Sequence, residues 1–189
     1  MIMFKKIRSK IGKRILRKRL RKISRSRTLL NFDSSHSVGV IFKAEDNSQI
    51  EIIRQFLTFL TEKKNNICAI GFVDNKKIPD FLMLKKGYNF FCRKDLNLYF
   101  LPNNPLVSDF LSKPFDILID LSLEHHMALD YIVSMSNARF KIGPLKQNLN
   151  CYDFMIDLKS KAGVEPLIEN IKHYTEVFCN SHQLKTVSL

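Results

Sequence analysis

Residues 115–121 read Phe-Asp-Ile-Leu-Ile-Asp-Leu, and residues 152–158 repeat the pattern as Tyr-Asp-Phe-Met-Ile-Asp-Leu. Each run is short and largely apolar, the signature of a strand buried on both faces. Working outward, 37–43 (SVGVIFK), 67–73 (ICAIGFV) and 138–142 (ARFKI) read the same way, and 88–93 is a shorter strand. Helical spacing lies between them. In 49–64, Ile50, Ile53, Phe56, Leu57 and Leu60 recur about one turn apart, and Ser48 with Glu51 forms a capping-box pattern. Pro105 opens a short helix through 112. Residues 124–137 and 163–178 supply two more. Strands alternating with helices predict a single Rossmann-like three-layer α/β domain over 38–179, with a mostly parallel sheet. No helix separates 138–142 from 152–158, so one of that pair is expected as an antiparallel edge. A polar hinge over 28–37 and a flexible tail over 180–189 flank the domain.

Residues 1–27 are of another kind. They carry Lys5, Lys6, Arg8, Lys10, Lys13, Arg14, Arg17, Lys18, Arg19, Arg21, Lys22, Arg25 and Arg27, and no acid. Residues 28–189 hold eighteen basic and eighteen acidic side chains, so the net charge of +13 resides on this arm. Good helix formers run through it, with no Pro and one glycine, Gly12. A helix over 4–27 would be about 36 Å long. Thirteen like charges repel along such a helix, so ordering is expected on a polyanionic partner.

The apolar positions choose among polyanions. Phe4, Ile7, Ile11 and Ile15 form one stripe; Leu16, Leu20 and Ile23 form another, rotated by more than a quarter turn. Arg14, Lys18 and Lys22 continue the line of the first stripe. A helix on a lipid leaflet presents one unbroken apolar face. Cations around the axis suit a segment among RNA phosphates better. The expected function is non-enzymatic RNA binding through the arm's cations, on ribosomal RNA or a ribosome precursor. No aromatic beyond Phe4 interleaves with the cations, so readout is expected to ignore base sequence. The alternative partner is an anionic membrane surface. A solubilising tail and an organellar transit peptide are plainer readings of the same charge run.

Few motifs for chemistry occur. Cys68, Cys92, Cys151 and Cys179 are widely spaced, and no secretory leader precedes them, so reduced thiols and a cytoplasmic setting are expected. No GxGxxG, GxxxxGK[ST], GxSxG or HExxH is found, and Lys43-Ala44-Glu45-Asp46-Asn47 follows the first strand in place of a glycine-rich phosphate loop. No cofactor and no metal are expected. Asp120 and Asp157 fall near the carboxyl ends of their strands, where open α/β sheets bind ligands. Together they could hold a sugar hydroxyl or act as a base; separately they could cap helices. His126 stands at i+4 spacing from Asp130.

The run FDILIDLSLEHHMALDYIVSMSNARFKIG (115–143) resembles the N-terminal domain of heptosyltransferase-type glycosyltransferases. There an aromatic-D-[LI]-[LV]-I-D-L strand precedes a helix and a short [AG]-x-x-[KR]-[IV]-G strand. The resemblance implies the sheet topology. It also implies a further alternative, a glycosyltransferase-like small-ligand binder or enzyme using Asp120 and Asp157. The family's catalytic Asp follows the first strand in a Gly-Asp turn, where Phe42-Lys43-Ala44-Glu45 stands here. The entire chain is similar to an uncharacterised bacterial family of small basic α/β proteins.

Overall fold

Along β1 (Ser37–Ala44), Val38, Val40 and Phe42 enter one apolar layer while Ile41 enters the other, so the strand is buried on both sides. The computed structural model describes residues 2–21, 24–63, 65–83, 87–147, 149, 151–158 and 163–186. In chain order the helices are α1 (Ile2–Leu20), α2 (Asn47–Glu62), α3 (Asp80–Met83), α4 (Pro105–Ser112), α5 (Met127–Met135) and α6 (Val164–Thr186). The remaining strands are β2 (Asn66–Val73), β3 (Tyr88–Cys92), β4 (Ile117–Asp120), β5 (Phe140–Pro144) and β6 (Phe154–Ile156).

The six strands form one parallel sheet in the order β3-β2-β1-β4-β5-β6. α2 and α6 cover one face through Ile50, Ile53, Phe56, Leu167, Ile168 and Ile171. α1, α4 and α5 cover the other through Leu16, Val107, Phe110, Leu129 and Ile132. This is the Rossmann-like three-layer domain the apolar runs predict. The strand order reverses between β1 and β4, and the carboxyl ends of those two strands frame the switch point.

Four local expectations change. β6 pairs parallel to β5 rather than forming an antiparallel edge. With only three residues in β6, the returning chain covers a short distance, so residues 145–153 suffice without a helix. Residues 28–36 are pinned rather than hinged: Thr28 N donates to Arg139 O at 3.1 Å, Phe32 is buried, and Ser35 Oγ donates to Asn65 Oδ1 at 2.8 Å. Asp46, not Ser48, caps α2, accepting from Gln49 N at 2.8 Å. The last helix runs past the expected end at 178 to Thr186, and 187–189 lie outside the described residues.

Cys68, Cys92 and Cys151 are free thiols. Among the described residues no helix is long and apolar enough to cross a membrane.

Candidate functional site

The helix of the basic arm lies on the body and ends at Leu20, short of the expected 27; residues 24–27, with Arg25 and Arg27, lie outside any helix. Leu16 is buried against the α4–α5 layer, with Ile15 and Leu20 packed beside it. At Gly12 the helix backbone comes so close to the Tyr99 carbonyl oxygen that a Cβ would collide with it. Gly12 is thus a point of close approach, where the sequence suggested only a weak place in the helix.

Several cations hold this position. Arg8 Nε donates to Leu98 O, and its guanidinium sits 4.8 Å over the Phe100 ring. Arg19 Nη1 donates to the Tyr131 hydroxyl at 2.7 Å. Arg25, nearly buried, donates to Asp153 Oδ1 at 2.6 Å and to Ala138 O at 3.0 Å, and Arg27 Nε lies 3.7 Å from the same carboxylate.

The others face out. Lys6, Lys10, Lys13, Arg14, Arg17, Lys18 and Arg21 are all exposed, and none makes an ion pair among the described residues. The six on α1 fall within an arc of about 140°, counting 100° per residue. An exposed apolar strip of Phe4, Ile7 and Ile11 overlaps one edge of this band, on the line that Arg14 and Lys18 continue, and ends before Ile15. The side chain of Lys5, and Lys22 entire, lie outside the described residues.

The two candidate carboxylates are separated. Asp120 ends β4 and is completely buried, while Asp157 follows β6, two strands away, and is exposed. At about 4.8 Å per strand their backbones stand roughly 10 Å apart. Asp120 is the hub of a buried cluster. Its Oδ2 accepts from Lys146 Nζ at 2.7 Å and Tyr152 OH at 2.5 Å, and its Oδ1 accepts from Ser122 N at 2.8 Å and Ser122 Oγ at 2.5 Å. Burial, then the Asp120 charge, pushes the Tyr152 hydroxyl far above its ordinary range, so it stays a donor.

The first Asp of each repeated motif does related work. Asp116 Oδ2 accepts from His36 N at 2.9 Å and Ser37 N at 3.2 Å, fixing the start of β1. Asp153 Oδ2 accepts from Lys141 N at 2.9 Å, fixing β5. Burial opposes the Asp116 charge, but these donors and Arg139 hold its carboxyl below the usual range.

At the carboxyl edge the two histidines part company. α5 begins at Met127, so His126 is its N-cap residue and cannot pair with Asp130 as helical spacing suggested. It is His125 whose Nδ1 lies 3.1 Å from Asp130 Oδ2. The His126 ring packs tilted against Phe72, ring centres 4.2 Å apart, with Nε2 3.7 Å from Asp74. Burial lowers the His126 pKa, keeping it neutral near pH 7. Asp74 is lowered first by its hydrogen bond from Arg93, at 2.6 Å. Over the β1–α2 turn, where a dinucleotide fold cradles phosphate, Asp46 fills the helix terminus and Lys43 is tied to Glu45 at 2.7 Å. A phosphate approaching that turn would meet two carboxylates.

A larger hollow than that turn lies beneath the arm. A cleft of about 840 Å³ opens between α1 and the α5–β5 surface. Lys13, Arg17 and Arg27 line it, with Lys141, Ser134 and Asp130 also in its wall. No single-residue motif marks this cleft in the sequence, because its walls come from positions more than a hundred residues apart. Only Lys141, a charged residue inside an otherwise apolar strand, gave a local hint.

A model of a family of unknown function, DUF6913, matches residues 8–178, and the chain belongs to that family. No curated protein and no solved structure matches it.

Proposed function

We propose that this member of the family binds RNA through the outward band of α1, without enzymatic chemistry and without reading base sequence. The observation that carries the reading is the band itself: six exposed cations on α1 and Arg21 just after it, unpaired among the described residues, held against a formally neutral body. Docking supplies the packing an isolated polycationic helix lacks, since Leu16 and Leu20 gain an apolar seat, and leaves the repulsion of the outward cations for a polyanion to relieve. A band covering about 140° of the helix can meet phosphates from more than one direction. Ribosomal RNA, abundant and folded, is the candidate partner.

The exposed strip Phe4, Ile7 and Ile11 favours a second reading, an anionic lipid surface into which these side chains insert. RNA ranks first because the cations continue to Arg21 without exposed apolar neighbours beyond Ile11. The likeness of 115–143 to glycosyltransferases supports no transfer reaction, because Asp120 is enclosed by Lys146, Tyr152 and Ser122.

The test uses the full chain and a Lys6, Lys10, Arg14 and Arg21→Gln variant, with structured RNA and anionic liposomes in competition. RNA should displace liposomes. Wild-type affinity should fall by about 10³–10⁵ between 50 and 200 mM salt for six to ten phosphate contacts. The variant should bind weakly with a flatter salt slope. Equal binding by the two proteins refutes the proposal, and liposomes winning the competition favours the second reading.

A further inference from the structure

The floor of the cleft beneath α1 contains buried polar groups that the protein satisfies only in part. Ser134 is 2% exposed, and the group beside its hydroxyl is the Cys151 thiol, a weak hydrogen-bond partner. Asp130 Oδ1 has no hydrogen-bond partner among the described residues; its nearest cation, Lys146 Nζ, is 3.8 Å away. Lys141, again 2% exposed, donates one hydrogen bond, to Val133 O at 2.6 Å, and an ammonium has three donors. Buried polar groups are ordinarily paired, and leaving them unpaired costs stability. A hydroxyl, an acceptor oxygen and spare ammonium donors facing one hollow make a built site.

The charge around that floor defines what fits. Lys13, Arg17 and Arg27 are exposed at the cleft, while Arg25 and Lys141 stand within it, and Asp130 is the acid among its lining residues. Arg25 is already held by Asp153. The remaining cations favour a dianion, and the Ser134–Asp130 floor favours hydroxyl groups that both donate and accept. The volume of about 840 Å³ is within the range of small-molecule pockets.

We propose that this cleft binds a small hydroxylated phosphomonoester, a sugar phosphate or nucleoside monophosphate. The phosphate lies toward Lys13, Arg17 and Lys141, and ring hydroxyls meet Ser134 and Asp130. This site shares Lys13 and Arg17 with the outward RNA band, but Ser134 and Lys141 are buried and belong to the cleft alone.

Calorimetric titration of the full chain tests it, using ribose 5-phosphate and adenosine 5′-monophosphate as probes, with ribose, adenosine and inorganic phosphate alone as controls. Both phosphomonoesters should bind, ribose and adenosine should not, and inorganic phosphate should bind more weakly than either ester. Ser134→Ala should weaken binding by about tenfold, the equivalent of one buried hydrogen bond. Lys141→Met should weaken it by about 10–100-fold, as for a bond to a charged group. Lys141 also caps the last turn of α5, so near-ultraviolet circular dichroism checks its fold; Ser134→Ala keeps that cap. Absence of binding by both esters, equal binding of ribose and its phosphate, or wild-type affinity in Ser134→Ala overturns the proposal. None of these outcomes bears on the Lys6, Lys10, Arg14 and Arg21→Gln comparison with RNA.

Discussion

Asp120 shows how a residue can stand where ligands bind and still be internal structure. Its carboxylate accepts from Lys146, Tyr152 and Ser122, all in its buried surroundings. Asp120→Ala would strand the Lys146 ammonium, which is 1% exposed, and should cost roughly 3–5 kcal/mol in chemical denaturation. Tyr152→Phe, which removes one donor, should cost about 1 kcal/mol. A near-neutral Asp120→Ala would refute this structural role.

Lys141 makes the opposite kind of prediction. Burial, with Arg25 adding to it, holds its amine down at about 8. In the unfolded chain it titrates near 10.4. Between these values the unfolded chain binds more protons, so stability rises with pH across that window, by up to roughly 3 kcal/mol. Tyr88, pushed up to about 12 by burial, opposes the rise above pH ~10. Denaturation at pH 7.5 and 9.5 should show the gain in wild type and its loss in Lys141→Met; parallel curves would sink the idea. The sequence exposed Asp120 as a motif residue, but its partners lie 26 and 32 positions away, so whether it was ligand or anchor was not legible.

At the scale of elements, strands were legible wherever a short apolar run was buried on both faces, as in β1, β2 and β4. The direction of β6 was not. Its crossover lacks a helix and is instead fastened by Lys146 and Tyr152 to Asp120, a contact no local pattern encodes. Gly143 belongs to this fastening, since a Cβ there would lie 2.5 Å from the Tyr152 ring. α1 was legible as a helix but not as a docked one. Its Leu16–Leu20 stripe was visible, yet the surface receiving it comes from the 97–101 turn and α5. In that turn Phe100 adopts φ 62°, in the left-handed region, while Asn97 Oδ1 accepts from Tyr99 N and Leu101 N. Gly12→Ala therefore sets two effects against each other. Ala favours the helix by about 1 kcal/mol, but its Cβ meets backbone at Tyr99 and not a movable side-chain tip. The collision should win, lifting α1 from its seat. Faster amide exchange across 2–21 and quicker proteolysis near 24–27 are the expected signs; unchanged protection would show that the interface can yield.

For the whole molecule, charge and apolar surface are divided by direction. The arm was expected to be an appendage, tethered by a hinge to a body complete without it. Instead Leu16 is part of the second apolar layer and Arg25 is held by Asp153. Deleting 1–27 should therefore lower the melting temperature and raise binding of an apolar dye to the uncovered α4–α5 surface. An unaltered melting temperature would mean the body does not rely on α1. The placement of Arg8 beside Leu98 and of Arg25 beside Arg139 also fixes which way α1 runs, from the carboxyl ends of the strands toward their amino ends. A partner that takes hold of the cationic ridge consequently receives the globule in a single attitude, like a key gripped by its bow, with the rim of β-strand termini and its histidines presented always at the same end.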